Sequence, residues 1–358
     1  MKTLLLGDIS PTSISAPYFK EHNIPELFGD TTSLFKEKDF IFVNLECALT
    51  DHEINIKKFG PALKAPKETA NVLKTLGVTC CGLSNNHIFD FGIKGAEDTK
   101  ATLEKASIDY TGFGKNYDDA RKNYFFEKSG EKICIIAVCE REYSYALPDR
   151  MGSRPFDEYD TIEDIRAAKA EADRVIVLYH GGKEMCQYPS PRLMKLCRAM
   201  ARNGADVVLC QHSHCIGSYE KYNDCHILYG QGNFHFAESS NDTIWYTSLA
   251  VEYDTKTNEI FFTPLESADH AIRFASEKET ILAEFNKRNE SVITGEWKNG
   301  WHDFCEKKKD RYLNVIANAA LESSTERNNA HFGHYLDCQA HTDVWRELFP
   351  TYNMTNEK

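Results

Sequence analysis

The feature that most constrains the fold is a series of short apolar runs, which alternate with helical patterns over roughly the first 235 residues. They include "KTLLLGD", "DFIFVNLE", "VTCCGLS", "KICIIAV", "RVIVLYH" and "ADVVLCQH". Several are apolar at consecutive positions, which is typical of strands that are buried on both faces. Strands that alternate with helices indicate a layered α/β domain.

Helix start and stop signals lie between these runs. Ser190 followed by Pro191 predicts the beginning of a helix, and Gly204 predicts its end. Thr161 and Asp164 have the spacing of a capping box ahead of "IRAAKAEA". Both patterns place a helix between two predicted strands, as the layered arrangement requires.

The pattern changes in the last third of the chain. Residues 244–264 alternate in the way that strands do, which predicts a hairpin that closes the sheet. After about residue 275, "SEKETILAEFNKRNE" and "FCEKKKDRYLNVIANAALESS" are charged and amphipathic. We therefore expect a helical C-terminal segment packed on or beside the α/β domain.

Composition excludes some partners and compartments. The formal net charge is -12, which argues against a nucleic acid as the main partner, because such binding needs clustered Lys and Arg. The apolar run at the N-terminus is too short for a signal peptide or a membrane span. The 12 cysteines show no CxxC spacing and suit a reducing cytosol. We predict a cytoplasmic protein without a membrane span; its oligomeric state is not indicated.

Polar residues recur where the apolar runs end. Five strand ends carry the following side chains: Asp8, Glu46, Asn86 with His87, His180, and His212 with His214. Ligands of open α/β sheets bind at the carboxyl ends of the strands, and oxygen and imidazole donors suit first-row divalent ions. Each residue alone is commonplace as a turn or structural residue, so the repetition is what predicts a metal site.

The blocks Gly7-Asp8, "NLE", "NNHxxDxG", "HGGKE", "QHSH" and "GNF" stand in an order that resembles the CapA family, named for poly-γ-glutamate capsule biosynthesis. That family is similar in fold to the calcineurin-like metallophosphoesterases, and the resemblance covers roughly residues 3–240. It implies an α/β fold, with a layered metallophosphoesterase-like β-sandwich flanked by helices and a helical C-terminal segment. The expected domains are 1–270, the CapA-like metallophosphatase domain, and 271–358, a helical extension packed on it.

The resemblance also implies a site for one or two divalent ions, Mn, Fe or Zn. The implied ligands are Asp8 and His214 for the first ion, Glu46 as a bridge, and Asn86, His180 and His212 for the second. His87 would be the catalytic residue, as a proton donor or as a stabiliser of the transition state. Metallophosphoesterases usually carry Asp-x-His at the first block, whereas this chain has Ser10, so the first ion loses an imidazole.

Smaller features surround these blocks. We assign Lys64, Glu184 and Asn233 to substrate binding: Lys64 offers charge to an anion, and Glu184 either orients a ligand or binds substrate. Asn233 has a structural alternative, in which its amide holds the site loop. Asp90 and Gly92 are expected to be helix-capping and turn residues that fix the preceding histidine.

Three histidines in the C-terminal part admit two interpretations. His331, His334 and His341 form either another metal cluster or an aromatic-rich helical face that caps the edge of the active site. We favour the second, because aromatic residues at helical spacing usually pack. Asn85, in contrast, has no role that the sequence assigns.

Three functions remain open. The first is a metal-dependent phosphoesterase that acts on a sugar- or polymer-linked phosphate through a metal-activated water. The second is capsule or poly-γ-glutamate processing at the same site, by amide hydrolysis or by handling of an anionic polymer. The third is a non-enzymatic module that holds an anionic polymer, which Ser10 favours. The expected partner is an anionic small molecule or polymer in each case.

Overall fold

The computed structural model describes residues 1–238 and 240–350. The strands are β1 (Lys2–Ile9), β2 (Phe40–Leu45), β3 (Ala48–Leu49), β4 (Lys64–Ala65), β5 (Cys80–Gly82), β6 (Asp109–Thr111), β7 (Phe113–Gly114), β8 (Tyr124–Lys128), β9 (Glu131–Cys139), β10 (Gly152–Ser153), β11 (Arg174–His180), β12 (Val207–Gln211), β13 (Tyr219–Tyr222), β14 (Cys225–Leu228), β15 (Asn233–His235), β16 (Thr247–Asp254), β17 (Glu259–Ala268) and β18 (Ala271–Phe274).

The α-helices are α1 (Ala16–Lys20), α2 (Ile24–Phe28), α3 (Thr69–Thr75), α4 (Gly92–Lys105), α5 (Tyr117–Ala120), α6 (Glu158–Glu171), α7 (Pro191–Arg202), α8 (Lys278–Thr294), α9 (Trp297–Ala320), α10 (Glu326–Asp337) and α11 (Gln339–Leu348). Two 3₁₀ helices span Gly29–Phe35 and Thr243–Tyr246.

Two large sheets form the centre of the molecule. The first has the strand order β18-β17-β16-β1-β2-β5-β6, and β15 pairs with the end of β1. The second has the order β13-β14-β12-β11-β9-β8. Strands β1, β2, β5 and β6 run parallel to one another, as do β9, β11, β12 and β14. The predicted layered α/β fold is therefore confirmed.

The sheets pack face to face and are covered by helices on their outer sides. Along β1, Leu5 faces the core between the sheets, whereas Leu4 and Leu6 face the core under the N-terminal helices. Along β9, Ile135 faces the same central core and Ile136 faces the helices of the opposite side. Because successive side chains of a strand point to opposite faces, strands in such a sandwich must be apolar at consecutive positions, as the sequence shows.

The helix boundaries confirm one capping prediction and correct another. Helix α7 begins at Pro191, and the Ser190 hydroxyl accepts the backbone N–H of Leu193. Helix α6 begins at Glu158 rather than at the predicted capping box, because the Asp157 carboxylate caps it by accepting the backbone N–H groups of Tyr159 and Asp160.

The last third contains the predicted hairpin, β16 and β17, followed by four helices. Trp301 and Tyr312 of α9 and Val344 of α11 are buried in the same core as Val177 of the second sheet. Strand β18 extends the first sheet past residue 270, and the division of domains at that position stays a prediction.

Two further findings bear on the composition. All 12 cysteines are free and buried, as their scattered positions predicted. Across the described ranges, no helix has both the length and the apolar character that crossing a bilayer demands.

Candidate metal centre

The polar residues predicted from the strand ends converge at one edge of the sandwich. Asp8 lies at the end of β1, Glu46 follows β2, and His180 ends β11 of the other sheet. The Nε2 atom of His180 lies 3.3 Å from Oε1 of Glu46, and its Nδ1 atom lies 3.7 Å from Oδ1 of Asp8. The carboxyl ends of the parallel strands of both sheets therefore meet there.

Two groups of three side chains are arranged so that they are able to hold a metal ion. One consists of Glu46, His180 and His212, and the other of Asp8, Glu46 and His214. Within each group the ligand-type atoms lie within 4.8 Å of one another, and all five residues are buried. Glu46 belongs to both groups, which is the position that a bridging carboxylate occupies in a two-metal site.

The environment of the Glu46 carboxylate indicates whether these residues fit a cation. Its side chain is 0 % exposed, and neither carboxylate oxygen has a hydrogen-bond partner in the described residues. Burial, and then the nearby Asp8 carboxylate, raise its pKa to about 7. A buried carboxylate without partners is costly. A divalent ion would satisfy both oxygens, so the donor set fits a metal.

His180 and His212 differ in the direction of their pKa shifts. Burial lowers the pKa of His180 to about 3, so its ring stays neutral, as a metal ligand must be. Burial opposes protonation of His212 too, but Glu142 and other carboxylates outweigh it and raise the pKa of His212. Its Nδ1 atom is buried and has no partner in the described residues.

The backbone at the end of β12 is unusual. His212 has φ 79° and His214 has φ 54°, values in the left-handed region that non-glycine residues seldom adopt. A single residue separates the two, and their rings lie 5.9 Å from each other between centroids. Strain of this kind persists where the surrounding structure imposes it, commonly at functional sites.

Asn44 orients members of both groups. Its Nδ2 atom lies 2.7 Å from Oδ1 of Asp8, to which it donates, and 3.0 Å from Nδ1 of His180. The other ring nitrogen of His180, Nε2, lies 3.0 Å from Oδ1 of Asn86. The backbone N–H of His212 donates to Oδ2 of Asp8 at 3.1 Å.

Asn86 reaches the cluster with its oxygen because its nitrogen is occupied elsewhere. The Nδ2 group donates to Oε2 of Glu142 at 2.8 Å, which turns Oδ1 toward His180. Oε1 of Glu142 also lies 3.9 Å from Nε2 of His212. Burial would raise the pKa of Glu142, but the histidines around it lower the value.

His87 is held through its Nδ1 atom, 2.7 Å from Oδ2 of Asp90. Asp90 is fully buried; it also pairs with the Lys58 ammonium and accepts the backbone N–H of Leu63 at 2.7 Å. Asp90 was expected to cap a helix. Instead the N-cap of α4 is Phe91, which makes no side-chain capping bond, and Asp90 anchors the imidazole.

Asn85 proves to organise this loop. Its Oδ1 atom accepts the backbone N–H groups of His87, at 3.2 Å, and of Ile88, at 3.0 Å. Its Nδ2 group donates to Oδ1 of Asn44 and to the backbone oxygen of Leu45. Gly92 has φ 60°, as a turn residue there requires.

The residues assigned to substrate binding lie in three different settings. Lys64 is 2.7 Å from Glu53 and donates to the backbone oxygen of His52. Glu184 is half-exposed beside Lys183, whose charge holds the pKa of Glu184 well below its usual range. Oδ1 of Asn233 lies 2.8 Å from Nδ1 of His214, as its structural alternative anticipated. Their role in substrate binding stays a prediction.

At the first block, Ser10 is buried, and its backbone N–H donates to the backbone oxygen of His235. In the part of the chain that the structure describes, no imidazole takes the place that an Asp-x-His pattern would fill, so the group around Asp8 has three members. That group is therefore the poorer of the two in nitrogen donors.

The C-terminal histidines pack against aromatic rings, and His334 lies near Glu142 at the edge of the cluster. His331 and His334 stack on Phe59 with ring centroids 3.8 and 5.9 Å away, and Nε2 of His334 lies 3.9 Å from Oε1 of Glu142. His341 is buried against Tyr312, 2.7 Å from its hydroxyl. In the residues that the structure describes, these three do not form a metal-type group of their own.

Three important residues escaped prediction. Asn44 stands beside Glu46 in the "NLE" block, and Glu142 follows the end of β9, so strand-end position was an available signal for both. Lys58 lies in an irregular segment before β4, and no pattern in the sequence marks it.

The chain is similar to known proteins of bacterial capsule synthesis. A family model described as "Bacterial capsule synthesis protein PGA_cap" matches residues 2–238. The chain is similar to the capsule biosynthesis protein CapA of Bacillus anthracis, with 28% identity over 263 residues, 71% of this chain and 64% of the relative. It is 30% identical over 259 residues to the PGA biosynthesis protein CapA of Bacillus subtilis (strain 168), 71% of this chain and 67% of the relative.

The chain thus spans about two thirds of the length of these relatives. Among solved structures, a hypothetical protein from Thermus thermophilus matches with a TM-score of 0.47 and 15% identity, covering 75% of this chain and 100% of that one. The family match includes both groups of candidate metal ligands and leaves α8–α11 outside. From this match over most of its length, the chain belongs to the bacterial capsule synthesis protein family PGA_cap.

Proposed function

We propose that the protein is a metal-dependent hydrolase that acts on phosphate esters of a sugar or a polymer. The observation that carries this proposal is the pair of buried donor groups that share Glu46, with both of its oxygens lacking partners in the described residues. Asp8, His214 and Glu46 would hold one divalent ion, and Glu46, His180, His212 and Asn86 a second. A bound ion would supply Lewis-acid chemistry and lower the pKa of water.

The chain's own residues would orient the groups and move a proton. Asn44 and Asn233 hold the rings of His180 and His214 through their Nδ1 atoms. Asp90 engages Nδ1 of His87, so Nε2 is the atom that would deliver a proton to a leaving oxygen. Because the Asp90 carboxylate engages Nδ1–H, the ring that would deliver a proton from Nε2 is the imidazolium, which the same carboxylate stabilises.

The first experiment measures the metal content of the purified protein and its activity on generic phosphoesters. Asp8→Ala and His212→Ala should lose metal and activity together, and re-adding Mn²⁺, Fe²⁺ or Zn²⁺ to stripped wild-type protein should restore turnover. His22→Ala is a matched control, because His22 is exposed and bonds Thr75, outside both groups. Full activity in metal-stripped protein would refute the proposal.

The alternative is amide hydrolysis or handling of an anionic polymer in capsule or poly-γ-glutamate synthesis, at the same site. It is supported by the relatives named for capsule and PGA biosynthesis. A shared fold does not fix a substrate, so the two functions need separate assays. Shortening of poly-γ-glutamate chains by the metal-loaded protein, with phosphoesters left intact, would favour the alternative.

A further inference from the structure

A cleft lies beside the candidate metal centre, between two loops of the sandwich and the C-terminal helices. Its volume is about 1000 Å³, within the range of sites that take a small molecule or part of a polymer. It reaches the centre at two points. Lys58 lies 3.1 Å from Nδ1 of His87, and Glu142 bonds Asn86.

Helix α10 forms one wall of this cleft, although it lies outside the part of the chain that matches the family. Arg327 and His334 line the cleft from that helix. The helix is held there by the stacking of His331 and His334 on Phe59, and by Gln339, whose Oε1 atom accepts the backbone N–H of Arg141 at 2.8 Å. This chain therefore has a cleft wall that the family match does not cover.

Three arginines line the cleft. Arg141, Arg150 and Arg327 make no ion pair with a carboxylate in residues 1–238 and 240–350. The acidic residues of the lining do not pair with these arginines in the part of the chain that the structure describes: Glu142 bonds Asn86, Glu326 pairs with Lys57 at 3.4 Å, and Asp337 makes no ion pair there.

Arg150 is the best fixed of the three. Its Nη2 group donates to the backbone oxygens of Tyr143 and Tyr145, and its guanidinium packs 5.7 Å from the ring of Phe89. Its Nε atom is buried and has no hydrogen-bond partner in the described residues. A guanidinium held by carbonyl oxygens alone keeps its full charge for an external anion, which it binds through charge-assisted hydrogen bonds.

We infer that this cleft binds a multivalent anion through Arg150, Arg141 and Arg327, and that α10 completes the binding site. This inference deepens the proposed function, since it takes the cleft as the place where the substrate lies. The three guanidinium groups stand on two different walls, so a ligand with several anionic groups satisfies them better than a single small ion. Phosphate and carboxylate chains share that chemistry.

The test uses equilibrium binding of two probes, linear tripolyphosphate and γ-linked triglutamate, to the full chain after removal of metal. Without metal, the probes report on the arginines rather than on direct coordination. Arg150→Met should weaken binding of the favoured probe at least about tenfold, and Arg327→Gln roughly three- to tenfold, as expected for lost charge-assisted hydrogen bonds. The probe that binds wild-type protein identifies the anion class.

Controls separate a site from a general charge effect. Arg346→Gln removes one exposed arginine from α11, away from the cleft lining, and should leave binding unchanged. Arg150→Lys keeps the charge and should bind the probe better than Arg150→Met does. Arg327 is exposed, so Arg327→Gln should not disturb packing. Absence of binding by wild-type protein, equal binding by Arg327→Gln and wild type, or equal weakening by Arg346→Gln would overturn the inference.

The outcome is distinguishable from failure of the proposed function. If the arginine variants bind the probes as tightly as wild type and metal-dependent hydrolysis persists, the inference about the cleft fails and the proposed function stands. If probe binding depends on the arginines but the protein shows no metal-dependent turnover, the proposed hydrolase function fails and the inference about the cleft stands.

Discussion

Replacing Glu46 by Gln tests the metal centre most directly. The Glu46 carboxyl is fully buried, its oxygens lack partners in the described residues, and Asp8 stands beside it. Its pKa rises from the ordinary value of 4.5 to about 7. Since one unit corresponds to 1.36 kcal/mol, ionising this group in the metal-free protein costs about 3 kcal/mol more than in water. A divalent ion has to offset that cost and displace the proton.

The assay is calorimetric titration of Mn²⁺ or Zn²⁺ into stripped protein, in two buffers with different enthalpies of ionisation. Near pH 6, about nine tenths of the metal-free molecules carry the proton on Glu46, whereas near pH 8.5 almost none do. Wild-type protein should therefore release nearly one proton more per Glu46 at the lower pH. Glu46→Gln should lose that component and bind metal more than about tenfold more weakly.

His212 contributes to proton release as well, because its pKa is raised. Glu142 and Glu184 raise it more than Glu46 does, so this part should be reduced but not lost in Glu46→Gln. Glu259→Gln is the control, since Glu259 is exposed at the start of β17. Equal proton release by wild type at the two pH values would refute the reasoning. Undiminished metal affinity in Glu46→Gln would refute it equally.

Substitutions of His87, His235 and Trp301 test the proton donor, a buried imidazole and the shared core. His87→Gln should keep its metal content but lower turnover by about 10²–10⁴, the range for a lost general acid, and equal activity would exclude that role. His235 is buried against Phe19, its ring nitrogens lack partners in the described residues, and burial lowers its pKa to about 4, below the ordinary 6.5. Because this pKa is depressed, its contribution to stability is complete above pH 6.5 and is lost as the pH falls toward 4. His235→Phe should therefore raise the free energy of unfolding by about 1 kcal/mol at neutral pH and make its fall with pH less steep, as measured by urea titrations. Parallel pH curves for the two proteins would contradict this. Trp301→Ala should lower the free energy of unfolding by about 3–5 kcal/mol in a single transition, and an early separate melting of the C-terminal helices would contradict the shared core.

The layers of the fold were predictable because their physical signal is local. A strand between two apolar layers has to be apolar at every position, and β1, β9 and β11 are largely so. The cap of α7 was predictable for the same reason, as Ser190 and Pro191 act on adjacent backbone groups. The cap of α6 was missed because Asp157 competes with Thr161 for the same role and the sequence does not rank them.

Much of the candidate site was also predictable, since parallel strands deliver their carboxyl ends to one edge. The partners of those residues were not. Glu142 bonds Asn86 across 56 positions of sequence, and Lys58 reaches Asp90 from an irregular segment. Such contacts depend on how the loops are packed in three dimensions. Asn85 illustrates this: it appeared idle in the sequence, yet it accepts two backbone N–H groups and donates to Asn44.

The residues that orient the candidate ligands are mostly amides, and electrostatics gives a reason. Asp8 and Glu46 are buried close enough for Asp8 to raise the pKa of Glu46. A further carboxylate in the place of Asn44 or Asn233 would add repulsion, keep Glu46 protonated to still higher pH and weaken its competition for a cation. An amide supplies a hydrogen bond of fixed direction without charge. The asparagines therefore hold the histidines in place and leave the negative charge of the centre on the two carboxylates that are placed to meet an ion.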